Sequence, residues 1–291
     1  MHSLFVRIAD ITIAIVNDNP ELKLWVEGAT QKFLEDKANP EVRIQAAWGD
    51  LVVGNSEEKI FDSGALWQLY SENGSYLFRF TSLALGSLPY KVATFNWDFT
   101  SGEVYLHRPY FTRGQPLYPL EYPLDELLIM NLLARGRGVE VHACGIIDSK
   151  GKGHLFVGQS GAGKTTIARI WHGEAGVTVL SDDRIILRKI ENKIWMYGTP
   201  WHGEAELASP AQAPLTRAYF LNHGLKNEIL QQGRVEALAR LFACSFVPFY
   251  SSETLDFTVG FFEEVVKTVP CYELRFVPDK GVIEFLQGRI V

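Results

Sequence analysis

The chain has 291 residues, of which 47% are hydrophobic and 21% are charged. This length allows two modest domains with a substantial core, and the composition is that of a folded rather than a disordered protein. Lysine and arginine number 28 against 34 aspartates and glutamates, so the formal net charge is −6. An acidic balance disfavours broad binding to nucleic acid or to an anionic membrane surface, and we expect neither as a partner.

Cysteine usage and the N-terminus indicate an intracellular protein. The three cysteines, Cys144, Cys244 and Cys271, lie far apart and form no C-x-x-C pair. Neither a disulfide framework nor a zinc site is therefore predicted, and we expect the thiols to be small core residues. No signal peptide is recognisable, and no apolar run approaches the ~18 residues of a membrane span. The expected location is the cytoplasm.

Residues 4 to about 118 predict strands separated by turns. Val42–Trp48 alternates apolar and polar positions, Ser75–Thr81 is aromatic and rich in strand formers, and 92–106 predicts a hairpin turning near residues 100–103. We expect a small, mostly antiparallel β region. Its many aromatic side chains fit the core of a sheet, and a groove that binds a peptide is the alternative.

A glycine and three prolines between residues 114 and 123 interrupt regular structure and predict a domain boundary. We therefore divide the chain into a β-rich domain at 1–118, with a possible role in substrate or partner recognition, and a nucleotide-binding catalytic domain at 119–291. The second domain begins with helical apolar spacing over 124–135, which ends at two nearby glycines.

Residues 158–165 carry the clearest chemical signal in the chain. They spell GQSGAGKT and match the phosphate-binding loop G-x-x-x-x-G-K-[ST], between a predicted strand at 154–157 and a predicted helix from 165. Glycines in such a loop let backbone N–H groups approach phosphates, the lysine reaches the β- and γ-phosphates, and the hydroxyl ligates Mg²⁺. The candidate nucleotide-binding residues are Gly158, Ser160, Gly161, Ala162, Gly163, Lys164, Thr165 and Thr166.

A second signal is the pair Asp182 and Asp183, which follows a short apolar strand at 177–180. Ligands of open parallel sheets bind beyond the carboxyl ends of the strands, so we expect the pair beside the phosphate loop. In phosphoryl transfer one carboxylate can hold Mg²⁺ while another accepts the proton of an attacking hydroxyl. We assign Mg²⁺ to Thr165 and Asp183 and the base role to Asp182. A solvated turn that caps the strand is the structural alternative.

Three features in this order resemble the catalytic core of the HPr kinase/phosphorylase family and, more widely, phosphoenolpyruvate carboxykinase-like folds. They are a strand bearing His142, the phosphate loop, and a strand ending in paired aspartates, within residues 139–188. The resemblance implies an α/β fold in which a phosphoenolpyruvate carboxykinase-like phosphate-loop domain follows the β region. It also implies ATP, Mg²⁺, a catalytic His142 and a possible homo-oligomer. The implied substrate is a serine of a protein or peptide, as for kinases of lasso precursor peptides.

The resulting hypothesis is transfer of the γ-phosphoryl group of ATP to a hydroxyl, with Asp182, Lys164 and His142 as catalytic residues. One alternative is a nucleotide-dependent binding or delivery module that transfers no phosphate to a substrate. A small-molecule kinase is the other.

The remaining elements predicted beyond the aspartates are structural, with one exception. A hairpin is predicted over 184–190 and 193–197, a strand over 215–221, and an amphipathic helix over 234–246. The turn-rich segment 198–204 contains Trp201, His202 and Glu204. One interpretation is that this segment contacts the nucleotide or the acceptor. The other is that it is an ordinary loop at the end of the hairpin.

Overall fold

The computed structural model describes residues 2–36, 39–49, 58–64, 66–83, 86, 88–111 and 114–288. The chain divides into two compact units, Met1–Leu132 and Leu133–Val291. This division lies beyond residue 118, so the first unit includes most of the helix that the sequence assigned to the second domain. The recognition role predicted for the N-terminal region stays a prediction.

The first unit is built on one large sheet with strand order β3-β1-β2-β4-β9-β8-β7-β6-β5. Its neighbours pair antiparallel, except that β4 runs parallel to both β2 and β9. A 3₁₀ helix covers Gly28–Phe33. The strands are β1 (His2–Ile8), β2 (Ile11–Asn17), β3 (Leu34–Glu35), β4 (Val42–Trp48), β5 (Glu58–Asp62), β6 (Trp67–Glu72), β7 (Ser75–Thr81), β8 (Pro89–Phe95) and β9 (Ser101–Leu106).

The predicted hairpin in this sheet is confirmed, but its turn falls earlier than expected. Strands β8 and β9 pair antiparallel and are joined by residues 96–100. Side chains of the turn cap its own backbone: the amide of Ser101 donates to Asn96 Oδ1 at 3.0 Å, and that of Thr100 donates to Asp98 Oδ1 at 3.1 Å. Asn and Asp favour turns through such local hydrogen bonds, which places the reversal at 96–100.

Aromatic residues supply much of the core of the first unit. Phe78, Phe95 and Phe99 are fully buried and contact one another, with an edge-on ring arrangement at 5.9 Å between the first two. Trp25 and Trp97 are instead 49% and 69% exposed. The core prediction therefore holds for the phenylalanines, and a peptide groove formed by exposed aromatics stays a prediction.

The second unit begins at the end of helix α1 and is organised around the long strand β10. Helices lie on both faces of its sheet: α2 and α5 pack in one buried apolar cluster, and α3 and α4 in the other. The helices are α1 (Leu124–Leu133), α2 (Lys164–Trp171), α3 (Arg234–Ala243), α4 (Ser252–Thr268) and α5 (Gly281–Gly288). The strands are β10 (Val139–Ile147), β11 (Gly153–Val157), β12 (Thr178–Ser181), β13 (Arg184–Ile190), β14 (Lys193–Gly198), β15 (Gln212–His223), β16 (Glu228–Gln231), β17 (Ser245–Phe246) and β18 (Cys271–Phe276).

The helix predicted over 234–246 is three residues too long. Helix α3 ends at Ala243, and β17 then pairs with β10, Glu140 opposite Phe246. The Ser245 hydroxyl donates to the carbonyl of Phe242 at 2.7 Å and so satisfies one of the last helical carbonyls. The pairing of β17 with β10 and this cap end the helix at Ala243, although the apolar spacing continues to residue 246.

The three cysteines are buried, as predicted, and each has a free thiol. Within the described part of the chain, no helix has both the length and the apolar character needed to span a membrane.

Candidate active site

Strand β10 brings the phosphate loop and the aspartate pair together. It runs antiparallel to β11, with Ala143 opposite Val157, and antiparallel to β12, with Gly145 opposite Ser181. Since both neighbours run opposite to β10, their carboxyl ends lie at the same edge of the sheet, next to His142. The aspartates do lie beside the phosphate loop, but a central antiparallel strand places them there rather than an all-parallel sheet.

The phosphate loop, residues 158–163, connects β11 to α2 in a conformation that needs glycine. Gly161 and Gly163 have φ values of +81° and +105°, which residues with a side chain rarely adopt. A Cβ on Gly163 would lie 2.7 Å from Cζ of Phe276. His223, at the end of β15, donates from Nε2 to the carbonyl of Gly161 at 3.0 Å. The loop is therefore fixed from the neighbouring strands.

Lys164 is buried, with 5% of its side chain exposed, and its ammonium group points back into the loop. Nζ donates to the carbonyls of Gly158 at 2.9 Å and Gln159 at 3.2 Å. It also lies 3.8 Å from Oδ1 of Asp183. Burial lowers the pKa of Lys164, and the negative charge of Asp183 partly opposes that shift. A buried ammonium bonded only to neutral carbonyls and close to a single carboxylate is suited to stabilising added negative charge.

Asp183 is the carboxylate that faces this ammonium. Its Oδ1 hydrogen-bonds to Nε2 of His142 at 2.8 Å, and its Oδ2 contacts the guanidinium of Arg184. Burial alone would raise the pKa of Asp183, but the hydrogen bond from His142 and the charges of Arg184 and Lys164 outweigh it and lower the pKa. Asp183 is consequently ionised at neutral pH, which makes it available to an Mg²⁺ ion and leaves it a weak base.

Asp182 has a different environment from its neighbour. It is fully buried, and its carboxylate oxygens accept hydrogen bonds from the amides of Gly203 at 2.9 Å and Ala205 at 3.0 Å. The segment that it holds, residues 199–206, we call the β14 exit loop. Asp182 therefore anchors the β14 exit loop beside the aspartate turn, while Asp183 points to the phosphate loop.

The β14 exit loop is attached at further points. Ser181 donates from Oγ to the carbonyl of Trp201 at 3.0 Å, and Arg169 of α2 donates to the carbonyl of Glu204 at 3.2 Å. Gly203 packs against both aspartates, because a Cβ there would lie 2.8 Å from Oδ2 of Asp182 and 3.3 Å from Cβ of Asp183. The segment that the sequence singled out thus lies at the site, although its contact with a nucleotide or acceptor stays a prediction.

The other predicted site residues follow the phosphate loop into α2. Thr165 and Thr166 are half-buried in the first turn of this helix, and Ser160 is exposed in the loop. Oxygen ligands such as the Thr165 hydroxyl and the Asp183 carboxylate suit Mg²⁺, which takes one or two carboxylates together with phosphate oxygens and waters. Across the described residues, no cluster of three or more His, Cys, Asp or Glu side chains is placed to hold a metal ion.

Residues that the sequence analysis missed complete the charge network around Asp183. The guanidinium of Arg184 stacks over the ring of Phe246 at 4.1 Å, and its Nε lies 3.5 Å from Oε1 of the buried Glu140. The ring of His142 packs edge-on against Phe246 at 5.9 Å. The position of Arg184 directly after the aspartate pair was an available signal, whereas the role of Phe246 depends on the pairing of β17 with β10.

Comparison with known proteins gives a limited result. No family model matches the sequence, and a search of curated proteins finds no match. Among solved structures, the chain is similar to the HPr(Ser) kinase/phosphatase from Coxiella burnetii, with a TM-score of 0.30 and 11% identity over 52% of this chain and 97% of that one. Similarity at this level assigns no function to the chain.

Proposed function

We propose that this protein is an ATP-dependent kinase that transfers the γ-phosphoryl group to a hydroxyl, that of a serine in a protein or peptide. One observation carries the proposal: the buried ammonium of Lys164 lies in a phosphate-binding loop and 3.8 Å from the carboxylate of Asp183, which His142 orients. A phosphate loop alone would support nucleotide binding. The adjacent oriented carboxylate adds a group that can act on the transferred phosphate or its acceptor.

The loop and Lys164 would hold the triphosphate and stabilise charge that develops during transfer. The N-terminus of α2 and the loop N–H groups other than those of Gly158 and Ala162, which donate to backbone carbonyls, would supply donors for phosphate oxygens. Lys164 would exchange its bonds to the carbonyls of Gly158 and Gln159 for phosphate oxygens. Thr165 and Asp183 would hold Mg²⁺, which when bound neutralises phosphate charge.

The aspartates divide the remaining tasks in this proposal. Asp183, oriented by His142 and neutralised by Arg184, faces the reacting groups. Asp182, the base predicted from the sequence, already accepts two backbone hydrogen bonds, and these favour a positioning role for it. In the proposed transfer the serine oxygen displaces ADP from the γ-phosphorus, and the hydroxyl proton passes to Asp183. Because Asp183 is a weak base, the proton leaves late and the rate depends mainly on alignment.

A thiophosphorylation experiment tests the proposal. The protein is incubated with γ-thiophosphate ATP, Mg²⁺ and a lysate and peptide fraction from the native host, and thiophosphorylated species are identified by mass spectrometry. Asp183→Asn should abolish labelling, whereas Asp256→Asn, the same change at an exposed position of α4, should leave it unchanged. A labelled serine or threonine identifies the substrate.

Two other outcomes of this experiment would favour a different function. A labelled metabolite would make the protein a small-molecule kinase. Absence of any Asp183-dependent label, despite nucleotide binding measured on the same preparation, would support a nucleotide-dependent binding or delivery module.

A further inference from the structure

A pocket of about 380 Å³ opens beside the phosphate loop, on the side of helix α3. One wall is formed by loop residues 158–162, and the other by Phe220 and Asn222 at the end of β15 and by Arg240 of α3. Strands β11 and β15 are parallel neighbours, so the pocket lies beyond their carboxyl ends, where ligands of such sheets bind.

The position of Lys164 indicates which end of a bound triphosphate would lie next to this pocket. The lysine of a phosphate loop reaches the β- and γ-phosphates. In this chain its ammonium lies at the carbonyls of Gly158 and Gln159, the first residues of the loop. The same two residues line the pocket. The pocket is therefore next to the terminal phosphate and not next to the nucleoside.

Arg240 is held in the pocket in a way that permits exchange of partners. Its guanidinium lies over the ring of Phe220 at 4.7 Å, and its Nη1 is 3.4 Å from Oε2 of Glu273. The other oxygen of Glu273 has a closer partner, Nε of Arg275 at 2.7 Å. If Arg240 moves away, Glu273 therefore still has Arg275 as an ion-pair partner. The side chain of Arg240 is already 27% exposed.

We propose that Arg240 binds the terminal phosphate group of the nucleotide and makes the site select ATP over ADP. The inference rests on the proposed kinase function and adds a specificity-determining residue to it. A guanidinium offers paired N–H donors that match phosphate oxygens, and arginines in this role stabilise the transferring group in other phosphoryl-transfer enzymes. Stacking on Phe220 keeps the planar group at the pocket wall.

Calorimetric titration tests the inference without measuring catalysis. ADP and a β,γ-imido analogue of ATP are each titrated, with Mg²⁺, into the wild-type protein and into Arg240→Gln. Because the lost contact is charge-assisted, the analogue should bind about tenfold or more weakly to the variant, while the affinity for ADP changes by less than about threefold. Arg234→Gln, the same change at the exposed start of α3, should leave both affinities unchanged.

Arg240→Lys covers the case in which the glutamine variant is misfolded, because it keeps the charge and the stem while removing the fork of N–H donors. It should show a smaller loss for the analogue than Arg240→Gln, again with ADP spared. Equal weakening of ADP and the analogue, or no change for either in a folded variant, would overturn the inference while leaving the kinase proposal intact. Failure of the wild type to bind either nucleotide would overturn both.

Discussion

Gly203→Ala is the sharpest test of the contact between the β14 exit loop and the aspartate turn. The backbone of Gly203 is not in the left-handed region, so alanine carries no conformational penalty there, and its effect must come from packing. A Cβ at 2.8 Å from Oδ2 of Asp182 is closer than a carbon and an oxygen can approach, and the atom it meets is one end of a fixed carboxylate. Either the loop or the aspartate turn must move.

The magnitude follows from the bonds that such a shift breaks. Asp182 accepts charge-assisted hydrogen bonds from Gly203 and Ala205, each worth about 1.5–3 kcal/mol. Losing one should lower the free energy of unfolding by about 2 kcal/mol and the melting temperature by roughly 4–8 °C. Movement of the adjacent Asp183 by a few tenths of an ångström should slow phosphoryl transfer roughly tenfold, since a displacement of about 1 Å costs on the order of 10²-fold.

Differential scanning calorimetry and the thiophosphorylation assay measure both effects. Gly260→Ala is the control, because a Cβ at that exposed position of α4 meets nothing within 4 Å and alanine in a helix interior should not lower the melting temperature. Affinity for ADP should be unchanged in Gly203→Ala, since the phosphate loop is untouched. A Gly203→Ala protein that melts with the control and transfers phosphate at the wild-type rate would refute the role assigned to this packing.

Three further changes have defined outcomes. Lys164→Met should weaken binding of ADP and of ATP analogues together and remove transfer, because the buried ammonium contacts the loop that we propose binds the phosphates; calorimetry that shows unchanged affinity would contradict this. The lowered pKa of Asp183 means that its ionised form contributes stability above the unfolded-state value of about 3.9 and loses that contribution as pH falls through the lower folded value. Between about pH 7 and about pH 3 the melting temperature of the wild type should thus fall further than that of Asp183→Asn. Equal decreases would count against a lowered pKa of Asp183. Burial raises the pKa of the Cys271 thiol to about 11 and that of Cys144 well above its usual range, so at about pH 8 both should react with a thiol reagent roughly 10²-fold more slowly in the native than in the denatured protein, and fast native labelling would argue against this packing.

The parts of the site that local sequence determines were predictable. A phosphate loop needs glycine at positions of positive φ and a lysine at the start of the helix, and these requirements leave a recognisable pattern at 158–165. Strands such as Val42–Trp48 and Ser75–Thr81 show the alternation or aromatic content that a half-buried sheet demands. In each case the physical requirement lies within a few consecutive residues.

The parts that depend on distant pairing were not predictable. The antiparallel position of β10 between β11 and β12 depends on register over tens of residues, and it decides that His142 meets Asp183. The two adjacent aspartates look alike in sequence. In the structure Asp182 accepts hydrogen bonds from the β14 exit loop, whereas Asp183 faces the ammonium group of Lys164. The loop donors to Asp182 are backbone amides, which leave no sequence signal apart from Gly203.

The attachments described for residues 201–205 use main-chain atoms of the loop: the carbonyls of Trp201 and Glu204 and the amides of Gly203 and Ala205. Side chains at 202, 204 and 206 are exposed. The backbone of Glu206 has a φ of +55°, which most residues adopt only with strain, so side chains at 202 and 204 are the ones whose exchange disturbs the loop least. Under the proposed function, a library randomised at 202 and 204 would vary the surface offered to an acceptor without changing the contacts of Lys164 and Asp183.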